Sequence, residues 1–273
     1  MKTRTLTALV MAVTMVPILI WGNHFHLFEA FLLIVSLMAA FEFRKMMRIE
    51  RRLPLWVDIL TMLFTGLTYT AFVALHLCPD TAFLFPVLAA SIFVVYGVTL
   101  VFVPTFQAQD FGNALSTILY CSLGFAALAV LRSYGLPLIL YGLIVPMLND
   151  MFAMWIGLKW GKHKLCPAVS PKKSVEGAIG GLVIGTAVAS VFAFSVNVFG
   201  DGFPWYGVIL MSIVLSCLGQ IGDLVASKFK RSYHIKDYSN LFPGHGGILD
   251  RFDSWMFVAL ALLLAWTHVL NLG

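Results

Sequence analysis

The stretch Ala82–Pro104, AFLFPVLAASIFVVYGVTLVFVP, contains no Asp, Glu, Lys, Arg or His. A hydrocarbon core about 30 Å thick takes roughly 20 residues of helix, so this stretch alone can cross a bilayer. Its apolar residues are continuous and do not alternate, which selects a helix over a barrel strand. Working outward from it, further stretches of the same kind lie at residues 5–22, 25–42, 55–77, 112–131, 136–157, 175–199, 204–226 and 253–270. The composition agrees: 60% of the residues are apolar, 11% are charged, and the mean hydropathy is +0.91. Soluble domains carry about 25% charged residues. The expected fold is therefore all-α and polytopic, about nine transmembrane helices forming one integral membrane domain over 1–273. The apolar run from Leu6 to Trp21 is longer than a secretory h-region, and no small-x-small cleavage site follows it. It reads as the first membrane helix, retained. Cys78, Cys121, Cys166 and Cys217 form no C-x-x-C pair, and small residues in apolar helices explain them without a zinc site or a disulfide framework.

The loops set the expected sidedness. With the N-terminus in the cytoplasm, one face receives Lys2 and Arg4, the cluster from Arg44 to Arg52, the run from Lys159 to Lys173, and the run from Lys228 to Arg251. Only Arg132 falls on the other face. Basic residues mark cytoplasmic loops, and an error of one span would scramble this division. The Arg44–Arg52 cluster reads as topogenic, with a second use against anionic lipid heads. In the two later runs the charges are interleaved with Gly, Pro, Ser and Asp, a composition suited to ligands.

Ionisable groups inside membrane segments are costly and tend to be functional. Here they are Glu29, Asp58, Asp150, Glu176 and Asp223. The last three cluster toward the cytoplasmic ends of late helices, beside the two later basic loops. The final loop reads Ser227-Lys228-Phe229-Lys230-Arg231, then Lys236-Asp237, then Pro243-Gly244-His245-Gly246-Gly247-Ile248-Leu249-Asp250-Arg251-Phe252-Asp253. Glycines here allow positive φ and amide concavities that hold anions, and a helix N-terminus beginning near Asp250 adds potential for phosphate. Asp250 and Asp253, three apart, share a face of that helix. With Asp223 they offer the hard oxygen ligands Mg²⁺ prefers. Each feature alone reads more simply as capping, turning or anchoring. Acids, glycines and cations together in 27 residues do not.

This run resembles the signature of the phosphatidate cytidylyltransferase (CDP-diacylglycerol synthase) family: Ser-x-apolar-Lys-Arg, four residues, Lys-Asp-x-small, a spacer, then His-Gly-Gly-apolar-x-Asp-Arg-apolar-Asp. Ser227, Phe229, Lys230, Arg231, Lys236, Asp237, Ser239, His245, Gly246, Gly247, Asp250, Arg251 and Asp253 meet every fixed position. Upstream, Ser170-Pro171-Lys172-Lys173-Ser174-Val175-Glu176-Gly177 is similar to the family's Ser-Pro-x-Lys-Thr-x-Glu-Gly, with Ser174 keeping the hydroxyl. Asn149-Asp150-Met151-Phe152-Ala153 keeps the acid of a further family run but loses its hydroxyl and glycine. The resemblance covers about 145–260, which places the catalytic half at about 140–273.

The resemblance implies that the phosphate of phosphatidic acid attacks the α-phosphorus of CTP and expels pyrophosphate, making CDP-diacylglycerol in the cytoplasmic membrane of a bacterium. It implies Mg²⁺ at Asp223 and Asp250, with Asp253 and Asp150 beside them, and admits a second, monovalent cation such as K⁺. Lys230, Arg231, Lys236 and Arg251 would hold phosphates, with Asp237 and His245 in the same motif, and Gly246, Gly247, Lys172, Lys173 and Ser174 as further phosphate-binding positions. The expected partners are CTP, phosphatidic acid, the bilayer and a second copy in a homodimer, with no nucleic acid. A transporter is disfavoured because the charges cluster on one side and no inverted repeat is visible. Gly177, Gly181 and Gly185 form a smooth stripe expected to pack against another helix.

Overall fold

The computed structural model describes residues 13–22, 26–244 and 246–269. The beginning of the first expected span and the candidate His245 lie outside the described residues. Residues 13–21 are helical, and eight longer helices follow: α1 Leu27–Met47, α2 Leu55–Leu77, α3 Leu84–Phe102, α4 Ala108–Tyr134, α5 Leu136–Trp160, α6 Val175–Ser195, α7 Trp205–Ser232 and α8 Leu249–Leu264. The chain is thus an all-α membrane protein in its main elements. Among the described residues, six helices, α2 to α7, are long and apolar enough to cross a membrane. α1, in place of the expected 25–42 span, carries Glu29, Glu42, Arg44 and Lys45. α8 runs for 16 residues before a π-helical turn at Ala265–Val269.

The chain forms two compact units. The first runs to Val130 and includes Tyr233–Arg251. Its core joins Val57 and Phe64 of α2, Ile92 and Tyr96 of α3, and Ala114 and Ile118 of α4. The buried Tyr96 hydroxyl is 2.7 Å from Thr61 Oγ1, which satisfies both at apolar depth. Asp58 accepts from Arg44 Nε at 2.8 Å and from Arg48, and Arg51 lies 3.4 Å from Asp110. Asp58, a candidate for chemistry in the sequence, therefore tethers α2 to the end of α1, and part of the topogenic cluster doubles as ion-pair structure.

The second unit holds Leu131–Ser232 and the chain from Phe252. The glycine stripe of α6 packs on α5 as expected: a Cβ on Gly181 would stand 2.6 Å from the Asn149 carbonyl oxygen, and one on Gly185 would stand 2.9 Å from Asn149 Cα. Pro146 lies inside α5 and removes one helical donor. Nearby, the Trp255 indole N–H donates to the Leu143 carbonyl at 3.1 Å. The all-α expectation missed one element. Between α5 and α6, β1 (Lys164–Cys166) pairs antiparallel with β2 (Ser170–Ser174). Their turn closes with the Val169 amide donating to the Cys166 carbonyl at 3.0 Å, and Pro167 after Cys166 sets the φ this turn needs.

Candidate active site

In the first unit the glycine-rich loop is organised by two carboxylates. Gly244 and Gly246 take φ of 78° and 80°, where glycine is favoured. Phe242 N–H then donates to the Gly246 carbonyl at 2.9 Å. Asp250 Oδ2 accepts from the amides of Tyr238 and Gly247, each at 2.9 Å, so one acid ties two points of the loop. The other is Glu42 of α1, 4% exposed. It accepts from the Ser239 hydroxyl at 2.5 Å and from the Ile248 and Leu249 amides at 3.0 and 3.1 Å. Those amides open α8 and lack helical acceptors, and the positive end of the helix favours an anion there. A Cβ on Gly247 would stand 2.5 Å from Glu42 Oε1, so the close approach requires glycine. Lys236, Asp237 and Arg251 are exposed on this segment.

Sequence reasoning passed over Glu42, which lies about 200 residues from its partners. The available signal was a carboxylate within an apolar helix with no opposite charge one turn before it.

In the second unit three acids and two cations gather from separate elements. Asp150 comes from α5, Asp223 from α7 and Asp253 from α8. Asp150 lies in the field of Lys173 and Asp223, and Asp253 in that of Asp223, Lys230 and Asp150. The Lys173 ammonium, on β2, forms an ion pair with Asp223. Lys230 and Asp253 are buried, 8% and 9% exposed. The glycine before Asp223 makes the approach possible, since a Cβ on Gly222 would stand 2.8 Å from the Asp253 carbonyl oxygen. Beneath the acids, Gln220 Nε2 donates to Asn149 Oδ1 at 2.9 Å and to the Ala178 carbonyl at 3.0 Å, fixing α5, α6 and α7 together.

The hairpin positions its cations through polar contacts of its own. Glu176 accepts from the His163 ring at 2.6 Å and from the Lys162 amide at 3.1 Å, which fastens the start of the hairpin to α6. Ser174, expected at phosphate, accepts from the Gly177 amide at 3.1 Å and caps α6. Arg231 Nε donates to the Val169 carbonyl at 3.3 Å. Lys172 is exposed.

Among the described residues no three His, Cys, Asp or Glu side chains converge closely enough to cage an ion. Mg²⁺ does not need such a cage, being held by one or two carboxylates together with substrate phosphates and water. Three hard oxygen donors, one already against an ammonium, fit that mode. The Lys173 charge neutralises Asp223 as a cation would.

The chain matches the cytidylyltransferase family over residues 2–269. It is 36% identical over 264 residues to the phosphatidate cytidylyltransferase of Staphylococcus haemolyticus, covering 94% of this chain and 96% of that protein. The phosphatidate cytidylyltransferases of Staphylococcus epidermidis and Staphylococcus aureus are each 36% identical over 259 residues, with the same coverage. Together with the acid and cation groups, this full-length match defines the class: the chain belongs to the cytidylyltransferase family.

Proposed function

We propose that this protein transfers the cytidylyl group of CTP to phosphatidic acid, giving CDP-diacylglycerol and pyrophosphate. The observation that carries the reading is the gathering of Asp150, Asp223, Asp253, Lys173 and Lys230 from three helices and the hairpin, in a chain that matches a phosphatidate cytidylyltransferase over 94% of its length. A phosphate oxygen of the lipid forms the new bond to the α-phosphorus of CTP. The bond to the bridging oxygen breaks, and pyrophosphate leaves with its electron pair. A phosphate monoester, with a second pKa of about 6, is already an anion near neutral pH, so no strong general base is required. The barrier is charge repulsion, which preorganised cations lower most effectively in a water-poor site.

Lys230, buried, supplies a fixed positive charge that water does not screen. Lys173 is poised on the hairpin to exchange Asp223 for a phosphate. Arg231, Lys236 and Arg251 are assigned to phosphates of CTP or lipid. Asp223, with Asp253 and Asp150, would hold Mg²⁺, which when bound offsets phosphate charge and stabilises the leaving group. The geometry gives Asp250 the task of shaping the glycine loop, and its share in holding the cation is tested by the same assay. Gly246 and Gly247 are assigned to shaping the loop around a substrate anion, the Gly247 amide being held by Asp250. A second, monovalent cation such as K⁺, a homodimer, nine spans and a site facing the cytoplasm complete the reading. The one-sided distribution of Lys and Arg supports the last two.

The test follows labelled CTP into lipid with purified protein in micelles containing phosphatidic acid, with Mg²⁺ and then EDTA. Metal-dependent CDP-lipid and pyrophosphate are expected, lost in folded Asp223→Ala and Asp250→Ala variants. A folded wild type that makes neither product with any lipid phosphate or added K⁺ rules the reading out.

A further inference from the structure

A groove of about 730 Å³ opens on the first unit, walled by Ile34, Leu37, Met38 and Phe41 of α1 and by Met62 of α2. Ile34 and Phe41 are 58% and 57% exposed, so the channel is open along its apolar side. An opening this apolar suits an acyl chain better than a polar ligand. The end of the groove is different in kind. There the lining includes Lys45, from the last turn of α1, with Ser239, Asn240 and Leu241 of the 233–251 segment. A second hollow, of about 550 Å³, shares Lys45 and adds Arg48 and Arg52. Arg48 is engaged by Asp58. Lys45 and Arg52 are exposed, and neither is ion-paired among the described residues. Glu42 is the acid in the lining, and its oxygens are turned to Ser239, Ile248 and Leu249. An apolar channel lined by an unpaired lysine and a primary amide, with Arg52 in the adjoining hollow, is complementary to a lipid phosphate in both shape and charge.

We infer that this groove docks the lipid substrate, with one acyl chain along α1 from Ile34 to Phe41 and the phosphate on Lys45 beside Asn240. The inference rests on the proposed function and extends it by naming where phosphatidic acid is received. Lys45, with Arg52 in the adjoining hollow, favours a monoester phosphate, which approaches two negative charges near neutral pH, over a diester lipid with one. Ser239 links the groove to the start of α8. It borders the head end of the groove and is hydrogen-bonded to the carboxylate that holds the opening amides of α8.

Phosphatidic acid with a photoactivatable group in one acyl chain, irradiated with the full-length protein in phosphatidylcholine nanodiscs, tests this directly. Labelling is expected within residues 34–41, competed by unlabelled phosphatidic acid far better than by phosphatidylglycerol, and reduced about fivefold by Lys45→Glu, as for removal of one cation near a membrane surface. In turnover assays Lys45→Glu and Ile34→Trp raise the KM for phosphatidic acid by a similar factor and leave the KM for CTP unchanged. The Trp variant acts more strongly on long-chain than on dioctanoyl substrate. Equal competition by phosphatidylglycerol, labelling indifferent to Lys45→Glu, or matched changes in both KM values overturns the docking site. Absence of turnover in the wild type instead removes the proposed function, while the labelling still decides whether the groove takes this lipid.

Discussion

The two units use the same side-chain chemistry in opposite ways. In the first, Glu42 and Asp250 spend their oxygens on backbone amides and a hydroxyl, and Asp58 spends its own on two arginines. In the second, Asp150, Asp223 and Asp253 stand near one another and face ammonium groups. A buried carboxylate ringed by fixed donors builds structure, because moving any partner leaves unpaired charge behind. One set against a flexible lysine can trade that partner for a ligand. The contrast separates acids held by fixed donors from acids held by a side chain that can move.

The sharpest way to break this contrast is Asp223→Asn, which removes charge without removing volume. Turnover should fall by a factor on the order of 10² to 10³, the usual scale for a lost electrostatic stabiliser, while thermal unfolding in detergent shifts little. A large loss of stability with unchanged turnover per folded molecule would place Asp223 among the structural acids. Asp58→Asn should behave in the reverse manner. It leaves the buried Arg44 without its acid, at a cost of about 3–5 kcal/mol, so unfolding occurs well below the wild-type temperature while kcat of the folded fraction stays near wild type. Glu42→Gln sharpens the comparison from within the first unit. It turns an amide toward groups that need an acceptor, costing about 1.5–3 kcal/mol, and loosened protection of the Ile248 and Leu249 amides in hydrogen exchange is the direct readout. Tyr141→Phe gives the smallest effect. It loses one bond to Ser212, 2.7 Å long, for about 1 kcal/mol, with no change in either KM.

Much of the fold was legible because membrane helices announce themselves through unbroken apolarity, as in Ala82–Pro104. The packing of Gly181 and Gly185 on α5 was legible too, since a stripe of small residues has one obvious use. The acids of the second unit stood out for a related reason: a charge in an apolar helix needs an explanation. What escaped depended on distance along the chain or on geometry finer than spacing. The hairpin at Lys164–Ser174 lies in a loop whose lysines suggested ligands more strongly than strands. The spacing that marks Ser174 as a phosphate position does not show that its oxygen also caps α6. Asp250 and Asp253 looked equivalent at a spacing of three residues. In the structure Asp250 Oδ2 takes the amides of Tyr238 and Gly247, while Asp253 Oδ1 takes the Ser254 amide at 2.8 Å. Periodicity places residues on a face, but it does not say which donors will be waiting there.

The bond between Glu42 and the start of α8 also has a consequence in time. Its acceptor is made early and its amide donors 206 and 207 residues later. At synthesis rates of about 5–20 residues per second, that gap lasts roughly 10–40 s. Throughout it, α1 is already in the chain with a carboxylate whose final partners do not yet exist. The start of α8 thus completes α1, and a ribosome stalled before residue 248 leaves the N-terminal helices with an acid still to be housed.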